Sequence, residues 1–507
     1  MNKQIGLIMP SLTHTLLLAP LAVQAAELKL AALFSDHMVL QCDKPVPIWG
    51  WANAGETVTV EFAGQTKKTT ADANGKWKVK LDPLKASAEP RELKVGGLVI
   101  HDVLVGEVWL GSGQSNMAMG VSRARDYNAE QAAAHLPLIR MFKESSIATN
   151  LPQSDACGQW VICSPETVGT FSATLYFFGR ELYREMKVPM GLINSSVGGT
   201  PIESWVAEEA QNQVPEIKAV LVKQDKVVAA VDETQVKADY AKALAKWKEQ
   251  VAKAKAAGQK VPRKPVDPLD KAKRKGNVGG LFNGKIAPLI PYAMRGVVWY
   301  QGEANSHPGK GLLYQYQLPL LVNDWRMRWG EEFPFAWVQL PNFNREGDDW
   351  QLVREGMLKT LKLPRTGMAI TIDIGDPQNI HPQNKQDVGK RLALWALGDV
   401  YGRNVIATSG PLPAGHEVRG SGIVLSFKHA DAGLKAKEGA LKGFVIAGED
   451  KKWMPAQAVI EGDKVIVSSG DVKKPLAVRY AWSGNPDCNL YNGAGLPASP
   501  FRTDDWN

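Results

Sequence analysis

The chain has 507 residues, a length that predicts two or three domains because it exceeds what a single hydrophobic core organises. Apolar residues make up 44% and charged residues 22%, the balance of an ordinary soluble globular protein. The formal net charge is +8, but much of the lysine lies in residues 238–275, as in a solvated helix, so we predict no nucleic-acid partner.

Residues 1–25 have the pattern of a secretory signal peptide. Lys3 precedes an apolar run through residues 16–23, and the small residues Val23 and Ala25 stand before the expected cleavage site. No other stretch is apolar for long enough to cross a bilayer, so we expect no membrane insertion. The mature protein is therefore predicted to be periplasmic or secreted.

Four cysteines would remain after cleavage: Cys42, Cys157, Cys163 and Cys488. Cys157 and Cys163 are close enough in sequence to close a small loop, but four cysteines allow three connectivities and the sequence leaves the pairing open. No cysteine or histidine cluster has the spacing of a zinc site, so we predict no metal.

Residues 27–105 alternate apolar and polar positions in short runs such as VPIWGWA, TVTVEFA and KWKVKL. This pattern, with turn signals between the runs, predicts an N-terminal all-β module that forms a small sandwich. From residue 106 to about 405, strand-like runs (VWLGS, VPMGLINSS, GVVWYQG, FAWVQL, GMAITIDIG) alternate with helical ones such as SATLYFFGRELYREM. Such βα units predict an α/β catalytic domain with a mainly parallel sheet.

One segment of this domain departs from the alternation. Residues 206–275 include the Lys- and Ala-rich stretch YAKALAKWKEQVAKAKAAG and are predicted to form a helical insertion closed by a polar loop. Residues 406–507 return to short β runs, including IVLSFKHA, GFVIAG, KVIVSS and AVRYAWS, and are predicted to form a C-terminal β region. The sequence leaves open whether the two β regions are separate domains or halves of one split sandwich.

The candidate nucleophile is Ser115, within GEVWLGSGQSNMAM at residues 106–119. Val108, Trp109 and Leu110 are typical of a buried strand, and the Gly- and Ser-rich residues after them predict a tight turn before a helix. Ligands of open α/β sheets bind beyond the carboxyl ends of the strands, so a hydroxyl group in this turn lies where chemistry is expected.

A serine nucleophile needs a base, and His381 is the candidate among the eight histidines. It follows the strand-like MAITIDIG through the short loop DPQNIHP, after Asp373 and Asp376. The order serine, aspartate, histidine matches a nucleophile, an orienting group and a base whose last two members share one loop.

Further turns at predicted strand ends offer groups for an oxyanion or for substrate. One lies in INSSVGGTPIESW, another in VVWYQGEANS, and two polar residues flank the serine itself. The candidate oxyanion or substrate-binding residues are Gly198, Gly199, Gln301, Glu303, Asn305, Gln114 and Asn116.

These motifs carry a resemblance to a known family. Met117 stands where the G-x-S-x-G elbow of α/β-hydrolases would have its last glycine, which argues for another serine hydrolase fold. GQSNM, NSSVGGTPIESW, WYQGEAN and IHPQNKQDVGKRLA resemble the motif set of the sialate O-acetylesterase family, within the SGNH hydrolase superfamily. The resemblance covers most of the mature chain and implies an SGNH-type three-layer α/β/α sandwich with accessory β regions.

The resemblance also implies residue roles. Ser115 matches the nucleophile and His381 the base, while a backbone N–H of the Gly198–Gly199 turn and the side chain of Gln301 or Asn305 match the oxyanion region. Many SGNH enzymes place the catalytic aspartate three residues before the histidine, but that position here is Gln378. Asp376 is therefore the preferred orienting group and Asp373 the reserve, unless a backbone carbonyl serves.

The sequence thus predicts a serine carbohydrate O-acetylesterase that needs no cofactor. Its expected substrate is an acetylated carbohydrate, with hemicellulose-derived xyloglucan or xylan oligosaccharides preferred because β modules and a long insertion suit a polymer fragment. A sialate 9-O-acetylesterase is the alternative, and a non-catalytic carbohydrate-binding protein is the alternative of another class. Aromatic residues near the motifs are expected to be mostly core: Trp109, Trp205, Trp299, Tyr300 and Trp325.

Overall fold

The computed structural model describes residues 27–229, 233–258, 261–262, 264–265, 278–345 and 347–506. The predicted signal peptide and most of the polar loop that closes the insertion lie outside these residues. The described chain is a mixed α/β structure with one large sheet and further all-β regions.

The N-terminal region consists of short strands, and the predicted runs VPIWGWA, TVTVEFA and KWKVKL all contain one. The strands up to the nucleophile are β1 (Lys29–Leu30), β2 (Val39–Gln41), β3 (Val46–Trp51), β4 (Thr57–Phe62), β5 (Gln65–Thr70), β6 (Lys76–Leu81), β7 (Ser87–Val95) and β8 (Leu98–Gly113). β1, β3 and β6 form a small antiparallel sheet of their own.

The large sheet contains the strand runs predicted for the catalytic region, together with two strands that lie between the first and the second of these runs in the chain. These strands are β9 (Leu136–Glu144), β10 (Gly158–Cys163), β11 (Met190–Ser196), β12 (Gly296–Tyr300), β13 (Phe335–Val338) and β14 (Thr366–Ala369). Their order is β10-β9-β11-β8-β12-β13-β14. Neighbours from β9 to β14 pair in parallel, while β10 pairs antiparallel to β9.

β8 connects the N-terminal β region to this sheet. Its first half pairs with β7 and β2, and its second half pairs with β11 and β12. The predicted boundary at residues 105 and 106 therefore lies inside one continuous strand. The shift from alternating to fully buried residues along β8 marks the point where its second face also becomes covered.

Both faces of the central sheet are buried. Along β12, Val297 and Trp299 belong to one hydrophobic cluster, whereas Val298 and Tyr300 belong to another. This division follows the two-residue period of a strand. Helical side chains contribute to both clusters, which explains why these strands read as continuous apolar runs.

The α-helices of four or more residues in the described chain connect the strands or extend from the sheet. They are α1 (Ser115–Ala118), α2 (Tyr127–Ala132), α3 (Ala173–Met186), α4 (Glu208–Gln211), α5 (Pro215–Ala229), α6 (Glu233–Ala256), α7 (Tyr314–Trp329), α8 (Trp350–Thr360) and α9 (Lys385–Trp395). α5 and α6 lie within the predicted helical insertion. No helix in the described part of the chain is long and apolar enough to span a membrane.

The C-terminal region is built of short strands over a third hydrophobic cluster. They are β15 (Leu412–Arg419), β16 (Gly422–Lys428), β17 (Leu434–Ala436), β18 (Phe444–Ala447), β19 (Met454–Pro455), β20 (Gln457–Glu461), β21 (Lys464–Ser468), β22 (Ala477–Tyr480), β23 (Leu490–Asn492) and β24 (Phe501–Arg502). They form two four-stranded sheets and the pair β17-β23.

The four cysteines are unpaired thiols. Cys157 stands immediately before β10 and Cys163 ends it, so the extended strand separates their Cα atoms by about 20 Å. A disulfide requires Cα atoms within about 7 Å. Of the pairings that the sequence left open, this fold therefore excludes a disulfide between Cys157 and Cys163.

Candidate active site

Ser115 lies at the carboxyl end of β8, as the first residue of α1. Gly113 has a φ of +134°, and a Cβ atom there would lie 2.1 Å from the carbonyl oxygen of Tyr300. The N–H of Gln114 donates to the same oxygen at 2.9 Å. The end of β12 approaches the turn so closely that only glycine fits at residue 113. The predicted sequence of strand, tight turn and helix around Ser115 is confirmed.

The Gly198–Gly199 turn lies beside the serine. It follows β11, the parallel neighbour of β8, and a Cβ atom at Gly198 would lie 3.5 Å from the Cβ of Ser115. Gly199 has a φ of +72°. Within the described chain, the backbone N–H groups of these two glycines have no hydrogen-bond acceptor. The turn therefore presents unpaired donors next to the candidate nucleophile.

The residues after β12 form a buried amide cluster on the other side of β8. Gln301 has no exposed surface, and its Nε2 lies 3.2 Å from Gln114 Oε1, 3.2 Å from the Thr200 carbonyl and 2.7 Å from Asn305 Oδ1. Its Oε1 accepts from the hydroxyl of Tyr314 at 2.9 Å. Through these hydrogen bonds Gln301 links the turn at Ser115, the turn after β11 and the turn after β12.

Asn305 is also saturated by protein contacts. Its Nδ2 donates to Glu203 Oε2 at 2.8 Å, and its Oδ1 accepts from the N–H of Ile202 at 2.9 Å as well as from Gln301. Gln114 differs, because its Oε1 accepts from Gln301 and from the N–H of Ala304, whereas its Nε2 has no acceptor among the described residues. Of the three amides, Gln114 retains a free donor.

Asn116 and Glu303 lie in a second buried polar cluster. Asn116 Nδ2 donates to Glu303 Oε1 and, at 3.0 Å, to the carbonyl of Ile380. Its Oδ1 accepts from Lys385 Nζ at 2.7 Å. Burial raises the pKa of Glu303. These contacts bring the residue after Ser115 to the residue before His381.

His381 lies in the loop between β14 and α9, and it is half-buried. The backbone N–H of His381 donates to Asn379 Oδ1 at 3.0 Å. Burial lowers the pKa of the imidazole, and the positive charges of Arg123 and Lys385 lower it further. The ring is therefore neutral near neutral pH, the form that a general base requires.

The side chain of His381 makes no hydrogen bond to another residue of the described chain, although hydrogen bonds of this kind are often long in the absence of substrate. The two candidate orienting groups differ in their surroundings. Asp373 accepts two hydrogen bonds from Arg391, at 2.6 and 2.8 Å, and one from the Tyr491 hydroxyl at 3.1 Å. Asp376 accepts from the N–H of Gln378 at 2.9 Å. The orienting role stays a prediction.

Sequence reasoning missed Lys385, which is fully buried beside these groups. A signal was present in IHPQNKQD, because Asn384 before the lysine has the side chain of an N-cap and its Oδ1 accepts from the N–H of Asp387 at 3.2 Å. A lysine at the first position of a helix opposes the helix dipole, which favours anions there. A lysine at this position therefore requires nearby hydrogen-bond acceptors or a negative charge.

The aromatic residues near the motifs are core, as predicted. All five have no exposed surface: Trp109, Trp205, Trp299, Tyr300 and Trp325. The four tryptophans pack edge to face with other rings, for example Trp205 with Trp299 at a centroid separation of 5.9 Å. Because all five side chains are buried, none of them has a ring face exposed for stacking against a sugar.

Comparisons with known proteins agree with this arrangement. The family model described as carbohydrate esterase, sialic acid-specific acetylesterase matches residues 105–260 and 284–397. Sialate O-acetylesterase of Rattus norvegicus is 30% identical over 529 residues, which cover 93% of this chain and 94% of the relative. The human sialate O-acetylesterase is 30% identical over 526 residues, with 93% and 92% covered.

A solved structure extends the similarity to the whole fold. The crystal structure of a carbohydrate acetylesterase from Xanthomonas citri superposes with a TM-score of 0.80 at 36% identity, covering 94% of this chain and all of the other. The resemblance drawn from the motifs is confirmed. The chain belongs to the carbohydrate esterase family described as sialic acid-specific acetylesterases.

Proposed function

We propose that this protein is a serine-dependent carbohydrate O-acetylesterase, with Ser115 as nucleophile and His381 as base. The observation that carries the proposal is the convergence of two loops on the start of α1. The Gly198–Gly199 turn borders the Ser115 side chain. The carbonyl of Ile380, the residue before His381, accepts a hydrogen bond from Asn116 Nδ2. Membership of an esterase family supports the same reaction class.

In the first step His381 takes the proton of the Ser115 hydroxyl while the serine oxygen attacks the acetyl carbonyl carbon. The carbonyl π electrons move to oxygen and form a tetrahedral oxyanion. Collapse of this intermediate breaks the ester bond, and protonated His381 gives its proton to the departing sugar hydroxyl. The neutral imidazole favoured by its surroundings is ready for the first of these transfers.

We infer that the oxyanion is held by a backbone N–H of the Gly198–Gly199 turn and by Gln114 Nε2. These donors have no acceptor in the described chain, and they flank Ser115. The amides of Gln301 and Asn305, for which the family resemblance implies the same role, bond to protein oxygens. We therefore assign Gln301 and Asn305 to holding Gln114 and the adjoining turns.

In the second step a water molecule attacks the acetyl-enzyme carbonyl after giving a proton to His381. The resulting tetrahedral intermediate releases acetate, and His381 returns the proton to the serine oxygen. The preferred orienting group for the histidine is Asp376, with Asp373 in reserve. Asp376 has one carboxylate oxygen bonded to the loop that carries His381, which leaves its other oxygen available for this role.

For the substrate we propose acetylated oligosaccharides from hemicellulose, either xyloglucan or xylan. The helices α5 and α6 of the insertion and the β regions that precede and follow the catalytic region in the chain suit a substrate larger than a monosaccharide. The alternative substrate is a 9-O-acetyl sialic acid, which the names of the curated relatives favour. Rates of acetate release from acetylated xylan, xyloglucan oligosaccharides and O-acetyl sialic acids separate the two, and a preference for sialic acids would overturn the first proposal.

We further infer that the catalytic region has the three-layer α/β/α arrangement of SGNH hydrolases and that the protein is exported. Helical residues in both clusters flanking the sheet support the layering. Export rests on the sequence of residues 1–25. N-terminal sequencing of the protein from the periplasmic or secreted fraction is expected to begin near residue 26, and a mature chain that retains Met1 would contradict export.

The catalytic proposal is tested by hydrolysis of p-nitrophenyl acetate. Ser115→Ala and His381→Ala are each expected to lose more than about 1000-fold in kcat, because the remaining donors and substrate binding account for little of the rate. The matched control is Ser122→Ala, an exposed serine of the same region. Equal rates for wild type and Ser115→Ala would leave a non-catalytic carbohydrate-binding protein as the better account.

A further inference from the structure

A buried polar network connects the two loops that carry Ser115 and His381. Its members are Asn116, Glu303 and Lys385, each at most 3% exposed. Asn116 bridges the two ionisable groups, because its Nδ2 donates to Glu303 Oε1 and its Oδ1 accepts from Lys385 Nζ at 2.7 Å. A carboxyl group and an amine are thus connected through one amide, and that amide belongs to the residue next to the nucleophile.

The same network holds the backbone on both sides of the base. Asn116 Nδ2 donates to the carbonyl of Ile380 at 3.0 Å, and Lys385 Nζ donates to the carbonyl of Pro382 at 2.8 Å. These carbonyls belong to the residues that immediately precede and follow His381. The backbone on both sides of His381 is therefore held by side-chain contacts from within the core.

Stability alone does not account for Lys385. The side chain is fully buried, and burial lowers the pKa of its amine to about 7. Glu303 Oε2 has no hydrogen-bond partner in the described chain. Well-packed apolar residues often stabilise such a site as well as a buried pair of charges does. A polar network kept at this place is better explained by the geometry that it imposes.

Lys385 also satisfies its bonding capacity without reaching the open side of the site. Two of its N–H groups are engaged by Asn116 and Pro382, and the amine lies 5.2 Å from the centroid of the Tyr300 ring. This distance is within the range of a cation–π contact. Lys385 therefore contacts residues that adjoin the candidate nucleophile and base, and not the reacting side chains themselves.

We propose that Lys385 is a positioning residue, which acts with Asn116 and Glu303 to hold His381 at its working distance from Ser115. The inference rests on the proposed function, since it assumes that these two residues are base and nucleophile. Lys385 acts through the loop that it anchors, and its charge acts on His381 together with that of Arg123.

The test compares Lys385→Met with wild type in p-nitrophenyl acetate hydrolysis by the full-length protein. Misplacing a catalytic group by about 1 Å costs about 100-fold in rate, so kcat is expected to fall about 10- to 100-fold while KM changes less than about threefold. The acid limb of the kcat/KM profile is expected to move to higher pH, because a positive charge near His381 is lost. Lys390→Met, on an exposed position of α9, is the matched control and keeps the wild-type values.

A second variant separates positioning from folding. Lys385→Met leaves Glu303 buried without its positive neighbour, whereas Glu303→Gln with Lys385→Met removes both charges and keeps an acceptor for Asn116. The double variant is expected to regain thermal stability but not kcat, because the bond to the Pro382 carbonyl stays absent. If the single variant does not fold and the double variant does, the kcat of the double variant tests the positioning role. A lowered kcat supports that role, and a wild-type kcat overturns it.

Each outcome bears on one claim. Wild-type kcat and an unmoved acid limb in the folded variant would overturn the positioning role, as would recovery of full kcat in the double variant. If neither variant folds, the network belongs to the core alone and the proposal is overturned. Activity in Ser115→Ala would instead overturn the proposed function, whereas inactive Ser115→Ala beside fully active Lys385→Met would overturn the positioning role by itself.

Discussion

The nucleophile turn and the histidine loop reach the same site by different means. At Gly113 the backbone itself determines the turn, since a side chain there would collide with the Tyr300 carbonyl at 2.1 Å. The loop before α9 is instead held by side chains distant in sequence. Asn116 donates a hydrogen bond to the Ile380 carbonyl, and Asn342 Oδ1 accepts one from the N–H of Gly375 at 2.7 Å.

This difference determines how each region should respond to substitution. A turn determined by backbone contacts fails when an atom is added to it, whereas a loop held by side chains fails when a distant partner is removed. The nucleophile turn should therefore be sensitive to its own residues, and the histidine loop to residues elsewhere in the chain. The following substitutions test the two regions separately.

The largest effect in the histidine loop is expected for its orienting group. Asp376→Asn is expected to lower kcat by up to about 10,000-fold, because loss of an orienting carboxylate leaves the imidazole in the wrong tautomer. Steady-state hydrolysis of p-nitrophenyl acetate gives this value.

Asp373→Asn is the matched comparison on the same loop. It weakens the bond pair to Arg391, whose side chain is 11% exposed, and is expected to cost about 2 kcal/mol of the free energy of unfolding with kcat nearly unchanged. Thermal or denaturant unfolding measures this cost. A large loss of kcat confined to Asp373→Asn would transfer the orienting role to Asp373.

On the nucleophile side, Gln114→Ala removes the proposed oxyanion donor. Loss of one such donor costs about 100- to 1000-fold in kcat, so this variant should be folded and slow. Gln114→Glu keeps the acceptor for Gln301 and Ala304 but replaces the donor by a carboxylate, and it should be at least as slow. Near-wild-type kcat in either variant would return the oxyanion role to Gln301 or Asn305.

The turn itself is tested by Gly113→Ala with Gly64→Ala as control. Both glycines have positive φ, but a Cβ atom at Gly64 meets nothing within 4 Å. Gly64→Ala is expected to cost about 1 kcal/mol of the free energy of unfolding, from backbone strain alone. Gly113→Ala adds a collision and is expected to cost at least about 2 kcal/mol more. Equal costs in denaturant unfolding would show that the contact with Tyr300 relaxes freely.

The smallest effect concerns pH. Because the pKa of His381 is lowered, the base form persists as the pH falls, and the acid limb of kcat/KM should have its midpoint below the ordinary histidine value of about 6.5. Arg123→Gln is expected to raise that midpoint by less than about one pH unit, since Arg123 is exposed. Arg125→Gln, exposed and two residues away, is the control. A wild-type midpoint above 6.5 would contradict the surroundings assigned to His381.

The same contrast explains what the sequence could predict. The turn at Ser115 was predictable because an apolar run followed by Gly111, Ser112 and Gly113 encodes it locally. The turns after β11 and β12 were predictable in the same way, and parallel pairing to β8 brings both to its carboxyl end. These features depend on short segments and on the direction of the strands.

Long-range contacts were not predictable. Lys385 and Asn116 are 269 positions apart, and nothing in either local segment indicates that they bond. For the same reason the saturation of Gln301 and Asn305 by other protein groups was not apparent, nor was the continuity of β8 across the expected domain boundary. The motifs identified Asn116, Gln301 and Asn305 as candidate site residues. Their hydrogen-bond partners depend on tertiary packing, which the motifs do not encode.

The most direct test of the account is covalent labelling of the nucleophile. The full-length protein is treated with a fluorophosphonate, which reacts with activated serine hydroxyls, and the modified peptide is identified by mass spectrometry. A single label is expected on Ser115, absent from Ser115→Ala and formed more slowly in His381→Ala. A label on another serine, or labelling of Ser115 that does not depend on His381, would contradict it.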